Sequence, residues 1–190
     1  MIRTDRPIFG KIHPLIALKV YNKQGGESVT AHYIDEKTAD NLFFLMQPKN
    51  ALVCEICVAT GLRITDVLNI KTEKLKSQRL TIKEQKTGKS RRVYIKKALF
   101  TAMKRQAGAV FVFESPHDIN KHLTRQAVWA DLKKAASMLG IRENISPHSF
   151  RKLYAVKLMR RYRDVKRVQK IIGHDSLACT VMYATSDLYG

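Results

Sequence analysis

Acidic residues are scarce in this chain: 16 Asp and Glu stand against 35 Lys and Arg, a formal net charge of +19 over 190 residues. That imbalance excludes an ordinary cytosolic enzyme acting on small molecules and points to a polyanionic partner. Cysteine is scarce too. Cys54, Cys57 and Cys179 are too few for a disulfide framework, so the expected compartment is reducing cytoplasm. Cys54 and Cys57 form a C-x-x-C inside the apolar run ALVCEICVA. No second ligand pair lies near it in sequence, so both read as core thiols rather than a zinc or redox site. No apolar run approaches the ~20 residues of a membrane span, and the N-terminus lacks the apolar core of a signal peptide. Internal repeats, low-complexity tracts and linker-like stretches marking a second domain are all missing.

What is present suits one domain with a short appendage. Apolar residues make up 45% of the chain, enough for a packed core. The charge is concentrated. Residues 71–105 hold 13 Lys/Arg and 2 acids, and residues 147–170 hold 9 Lys/Arg and 1 acid. Net charges of 13 − 2 = +11 and 9 − 1 = +8 account for the whole +19, leaving the rest of the chain neutral. Two basic segments on a neutral body read as two walls of one binding surface, the plainer alternative being two solvated faces.

Residues 1–34 are rich in β-branched and apolar residues on either side of Gln24-Gly25-Gly26. They predict a β-hairpin, an N-terminal extension ahead of a main unit at 35–190. Helical patterns follow at 35–47 and from Pro48 to a stop at Gly61. Thr65 is expected to cap a short helix that contains Asp66. RLTIKEQ and RRVYIKK alternate apolar and polar residues around Lys86-Thr87-Gly88-Lys89, which predicts a β-hairpin with a basic turn. Helical patterns return at 96–106, 122–139, 147–162, 164–172 and 175–183. The expected fold class is mainly α, with a small three-stranded antiparallel sheet near 68–95.

Four local patterns carry candidate chemistry. In ATGLRITDVLNI, Arg63 sits in a turn between two helices, where rigid flanks can aim a guanidinium. In EQKTGKSRRVYI, Lys86 and Lys89 occupy the hairpin tip. In SPHSFRKLYA, His148 and Arg151 are three apart at a helix start, on one face and near backbone N–H groups that favour phosphate. In KIIGHDSLACTVMYATSD, His174 follows a helix-ending Gly173, and Tyr183 comes nine residues later. Singly, each has an ordinary structural explanation: a cap, a solvated turn, a core pair, a half-buried aromatic.

Taken in order, Thr60-Gly61-Leu62-Arg63, Lys86, His148-Ser149-Phe150-Arg151, Gly173-His174 and Thr180-Val181-Met182-Tyr183 resemble the tyrosine recombinase (phage integrase) family over about residues 35–186. The resemblance implies that family's catalytic-domain fold. It also implies site-specific DNA recombination (integration, excision or inversion) through a 3′-phosphotyrosyl intermediate. Arg63 and Arg151 would hold the scissile phosphate, a task suited to planar bidentate forks. Tyr183 would attack phosphorus and Lys86 would protonate the leaving 5′-oxygen. His148 would assist proton transfer, His174 would donate a hydrogen bond to the phosphate, and Asp66 would support the site. Tyr189 falls fifteen residues past His174, so Tyr183 is the preferred nucleophile.

No metal or other cofactor is implied, and the sequence shows no clustered carboxylates of the two-metal kind. The implied partners are double-stranded DNA, other protomers assembled on it, and accessory DNA-bending proteins. Only seven residues follow Tyr183, where family members often have a longer tail that docks on a neighbouring protomer, so strong tetramer assembly is not expected. Three other readings stay open: a non-catalytic DNA-binding regulator or accessory protein on the same fold, a type IB topoisomerase, and an RNA- or ribosome-binding protein.

Overall fold

The computed structural model describes residues 31–188. The hairpin expected over residues 1–34 therefore lies almost wholly outside the described residues. The four described residues of that segment have no regular structure, but Ala31 and Ile34 are buried.

Eight helices and one β-hairpin follow among the described residues. Helices α1 (Glu36–Leu45), α2 (Pro48–Thr60) and α3 (Ile64–Leu68) come first. Strands β1 (Arg79–Lys83) and β2 (Ser90–Tyr94) pair antiparallel, with Leu80 opposite Val93 and Ile82 opposite Arg91. Helices α4 (Lys97–Gln106), α5 (Arg125–Met138), α6 (Pro147–Tyr162), α7 (Val165–Ile172) and α8 (Leu177–Ala184) complete the order.

Most boundaries have legible causes. Asp35, Thr124, Asp164 and Ser176 accept backbone N–H bonds at the starts of α1, α5, α7 and α8. Ser146 and Ser149 form a reciprocal capping box at α6, with Pro147 in its first turn. Two expected caps differ. Arg63, not Thr65, takes the cap position of α3, and its side chain makes no capping bond. The last helix is capped by Ser176 rather than opened at Asp175.

The sheet also differs from expectation. It has two strands among the described residues, not three. Residues 68–75 end α3 and then turn through a 3₁₀ segment at Thr72–Lys74. Their apolar side chains Leu68, Ile70 and Leu75 are buried. Their backbone pairs with residues 110–112 instead of the hairpin: Val112 N donates to Ile70 O at 3.0 Å and Thr72 N to Val110 O at 3.1 Å. Those bonds satisfy the groups that a third strand would have offered to β1.

The core divides in two. The larger cluster includes Leu42, Ile56, Leu68, Phe113, Leu132, Phe150 and Leu153. The smaller joins the second half of α6 to α7 and α8 through Ala155, Leu158, Met159, Val168, Ile172 and Ala184. Helix α6 runs through both, and Arg151 lies on it between Phe150 and Leu153, within a turn of Ala155.

Candidate active site

Two helices end beside Arg151. Helix α2 stops at Gly61 (φ 64°) and α7 at Gly173 (φ 74°), both in the left-handed conformation that glycine adopts readily. Arg151 is 3% exposed. Its Nη1 donates to Gly61 O and its Nη2 to Ile172 O at 2.8 Å. Helix C-terminal carbonyls carry partial negative charge. They hold the guanidinium without neutralising it as a carboxylate would.

Arg91 converges on the same carbonyls. It donates to Thr60 O, to Gly61 O at 3.4 Å and to Ile172 O at 3.5 Å. Burial, reinforced by the charges of Arg63 and Arg91, lowers the Arg151 pKa to about 10. The group still carries its charge at neutral pH.

Arg63 follows Gly61 in the α2–α3 turn. Its Nη1 donates to Glu84 Oε2 at 2.9 Å. Glu84 directly follows β1 and is buried. From α3, Asp66 Oδ1 accepts the Gln85 backbone N–H at 2.9 Å. The turn and helix after Gly61 thus grip two successive residues of the hairpin.

The imidazoles and the phenol lie on the open side of this cluster. The Tyr183 hydroxyl is 3.4 Å from His148 Nδ1. The His174 ring packs edge-on against the Tyr183 ring, centroids 4.9 Å apart at 81°. His174 Nδ1 lies 3.2 Å from Thr180 Oγ1, which is itself 3.2 Å from Ser176 O. The threonine has one hydroxyl proton, so it donates to one of these at a time.

Desolvation, then the charges of Arg151 and Arg63, lower both histidine pKa values, with His174 falling to about 4. Desolvation, with Cys179 adding to it, raises Tyr183 above the ordinary phenol value, while Arg151 and Arg63 pull the other way. At neutral pH the site therefore holds neutral imidazoles and a protonated phenol facing charged guanidiniums.

Five of the six residues singled out from the sequence, Arg63, His148, Arg151, His174 and Tyr183, meet here. Lys86 stands apart. It is exposed on the hairpin turn and makes no hydrogen bond or ion pair among the described residues. Its charge reaches Cys179, one helical turn before Tyr183. Lys89 instead pairs with Asp175 at 3.4 Å, both side chains being well exposed. A groove of about 770 Å³ lined by Asp40, Phe43, Glu55, Tyr94 and Lys157 contains none of the six.

Sequence reasoning missed Glu84 and Arg91. The signal was present: Glu84 continues the inward phase of Leu80 and Ile82, and Arg91 shares that of Val93 and Ile95. A charge on the buried side of a strand needs a partner, and two opposite charges there point to each other.

The phage integrase family model matches residues 32–188. The chain belongs to the phage integrase family. Among curated relatives of this chain, tyrosine recombinase XerA of Pyrococcus furiosus is 29% identical over 143 residues, covering 71% of this chain and 49% of that protein. A putative integrase/recombinase, y4qK, of Sinorhizobium fredii is 33% identical over 144 residues, covering 71% of this chain and 46% of that protein. The chain spans about half the length of the curated relatives it matches.

Among solved structures, a lambda integrase dimer bound to a COC′ core site superposes with a TM-score of 0.71 at 17% identity, over 88% of this chain and 52% of that one. The lambda integrase catalytic core gives 0.64 at 18% identity, over 75% of this chain and 91% of that one. The mainly helical fold with its small antiparallel sheet is thus the tyrosine recombinase catalytic-domain fold. No described helix is long and apolar enough to cross a membrane.

Proposed function

We propose that this integrase-family chain is the catalytic part of a tyrosine site-specific recombinase, which breaks and rejoins DNA through a 3′-phosphotyrosyl intermediate. The observation that carries the reading is a phenol within hydrogen-bonding reach of a neutral imidazole, facing Arg63 and Arg151. Phosphoryl transfer depends on positioning and charge stabilisation above all, and these groups offer both.

Arg63 and Arg151 bind the non-bridging oxygens of the scissile phosphate. Helix carbonyls already occupy two Arg151 N–H groups, which pre-orients the remaining donors. His148 accepts the phenol proton as Tyr183 Oη attacks phosphorus. The new P–O(Tyr) bond forms as the bond to the 5′-oxygen breaks. Lys86 gives that oxygen its proton, leaving a free 5′-hydroxyl. His174 donates to the phosphate from Nε2, which requires the Thr180 hydroxyl to donate to Nδ1. Religation by an incoming 5′-hydroxyl runs the same steps in reverse.

The partner is double-stranded DNA, engaged by both basic segments in the cytoplasm, with protomers assembling on it and accessory DNA-bending proteins assisting. The lambda integrase neighbours include a dimer on a core site and a tetramer on a Holliday junction, which supports that assembly. The catalytic unit begins near residue 35, after an N-terminal extension.

The test is a nicked duplex carrying the recombination site recovered from DNA flanking the gene. Incubated with protein in EDTA, it should trap a covalent adduct at a 3′-phosphate. Tyr183→Phe should abolish the adduct and Tyr189→Phe should leave it. An adduct that survives Tyr183→Phe overturns the assignment. An absolute need for a divalent cation overturns the metal-free mechanism.

A further inference from the structure

Residues 71–105 carry 13 basic and 2 acidic side chains. One acid, Glu73, is exposed in a 3₁₀ turn. The other, Glu84, is 3% exposed. A carboxylate is buried at a loss unless it is paired, so its partners indicate its role.

Glu84 Oε2 accepts from Arg63 Nη1 at 2.9 Å and from Thr87 Oγ1 at 2.9 Å. Its Oε1 has no hydrogen bond and lies 3.9 Å from Arg91 Nη1. The Glu84 backbone closes the turn that follows: its N–H donates to Lys89 O at 2.9 Å, and its carbonyl accepts from Gly88 N at 2.8 Å. Lys86 rides on that turn with no hydrogen bond or ion pair of its own among the described residues. Its position therefore depends on how the turn is fastened.

We propose that Glu84 is a positioning residue that fixes Arg63 and Lys86 relative to one another. One carboxylate oxygen orients the phosphate-binding guanidinium and, through Thr87, the turn bearing the general acid. The proposal rests on the recombinase reading above and adds a residue to it. A carboxylate that merely offset three arginines would change DNA affinity and stability, and its loss would be indifferent to the leaving group. A positioning carboxylate acts on the chemical step, and its loss shows in proton delivery.

The experiment compares Glu84→Gln, Thr87→Val and their double variant, with Lys86→Ala and Lys89→Ala as references. Each is assayed on the nicked duplex with oxygen or sulfur at the 5′-bridging position of the scissile phosphate. A sulfur leaving group needs no proton. On the oxygen substrate, Glu84→Gln should slow cleavage about 10²-fold, the scale of a catalytic group misplaced by about 1 Å, with DNA affinity unchanged.

Sulfur should restore Thr87→Val and Lys86→Ala to near the wild-type rate. It should restore Glu84→Gln only in part, because Arg63 stays misoriented. The double variant should be no slower than Glu84→Gln, as expected for residues in one network. Sulfur rescue of Lys86→Ala without rescue of Thr87→Val would overturn the link to the turn. Rescue of Lys89→Ala alone would move the acid to the other lysine and overturn it as well.

Amide hydrogen exchange separates this failure from failure of the recombinase reading. Arg63→Ala should speed exchange at Gly88 and Lys89, because Glu84 loses its strongest partner. Unchanged exchange overturns the coupling even if the protein cleaves DNA. Faster exchange in Arg63→Ala, with a wild-type protein that forms no adduct at Tyr183, supports the coupling and refutes the recombinase reading.

Discussion

His174 is the residue whose environment departs furthest from an exposed imidazole. Its pKa falls from the ordinary value near 6.5 to about 4, through desolvation first and then the charges of Arg151 and Arg63. Because the folded pKa lies below the unfolded one, the unfolded chain binds the extra proton first as pH drops. The stability linked to His174 is thus present above about pH 6.5 and lost as pH falls toward 4. The melting temperature should decline across that window, and His174→Gln should flatten part of the decline. An identical pH profile in the two proteins would rule out His174 as a source. A bound phosphate reverses the balance, so DNA should raise the His174 pKa in an NMR titration. Thr180→Val tests the tautomer. With no hydroxyl to donate to Nδ1, strand cleavage should slow while the fold persists.

At the scale of elements, the site depends on where two helices stop. Gly61 ends α2 at φ 64°, and a Cβ there would run into the Tyr154 ring. Gly140 has φ 68°, and a Cβ there would meet nothing within 4 Å. Gly140→Ala should therefore lose only the left-handed backbone preference, about 1–2 kcal/mol. Gly61→Ala should lose more, because it must also displace the ring, and it should shift the carbonyls that hold Arg91 and Arg151. Thermal melts should separate the two by several degrees, at roughly 2–4 °C per kcal/mol for a chain of this size. Equal losses would mean that the ring yields freely.

The same helix ends give Arg151 a structural role beside the phosphate-binding one proposed for it. It bridges Gly61, which directly precedes Leu62 of the larger core cluster, and Ile172 of the smaller. Arg151→Ala leaves two buried carbonyls without these donors, at about 1–3 kcal/mol each. Arg151→Lys should recover more stability than cleavage, since an ammonium lacks the planar fork. Equal recovery of both would argue against a bidentate role.

For the whole molecule, the governing quantity is +19, all of it in two segments that each contribute residues to the candidate site. Residues 71–105 include β1, β2 and Lys86, and residues 147–170 include α6 with His148 and Arg151. DNA affinity should fall ~10³–10⁵-fold between about 50 and 200 mM salt if about 6–10 phosphates are neutralised. A filter-binding or fluorescence titration across that range checks it. Affinity that stays flat would mean that the basic segments are solvated faces rather than a binding surface.

Local sequence was enough for most of the helices and for the hairpin around Lys86, and the ordered set of motifs singled out five of the meeting residues. Each of these depends on neighbours in the chain: a cap three residues from its acceptor, a glycine where φ is positive, a histidine and an arginine one helical turn apart. The third strand failed because its apolar residues were equally suited to pack against residues 110–113, and a choice between partners distant in sequence is not written in local periodicity. Glu84 and Arg91 were half-legible, as charges on the inward phase of two strands, but not which arginine the carboxylate would face. Lys86 was recognisable by its place in the hairpin, while its position depends on the Thr87–Glu84–Arg63 chain of bonds. What only the tertiary structure decided is the electrostatic setting. Three guanidiniums are brought together by the carbonyls of two helix ends and one buried carboxylate, because those ends meet only once the two core clusters pack on α6.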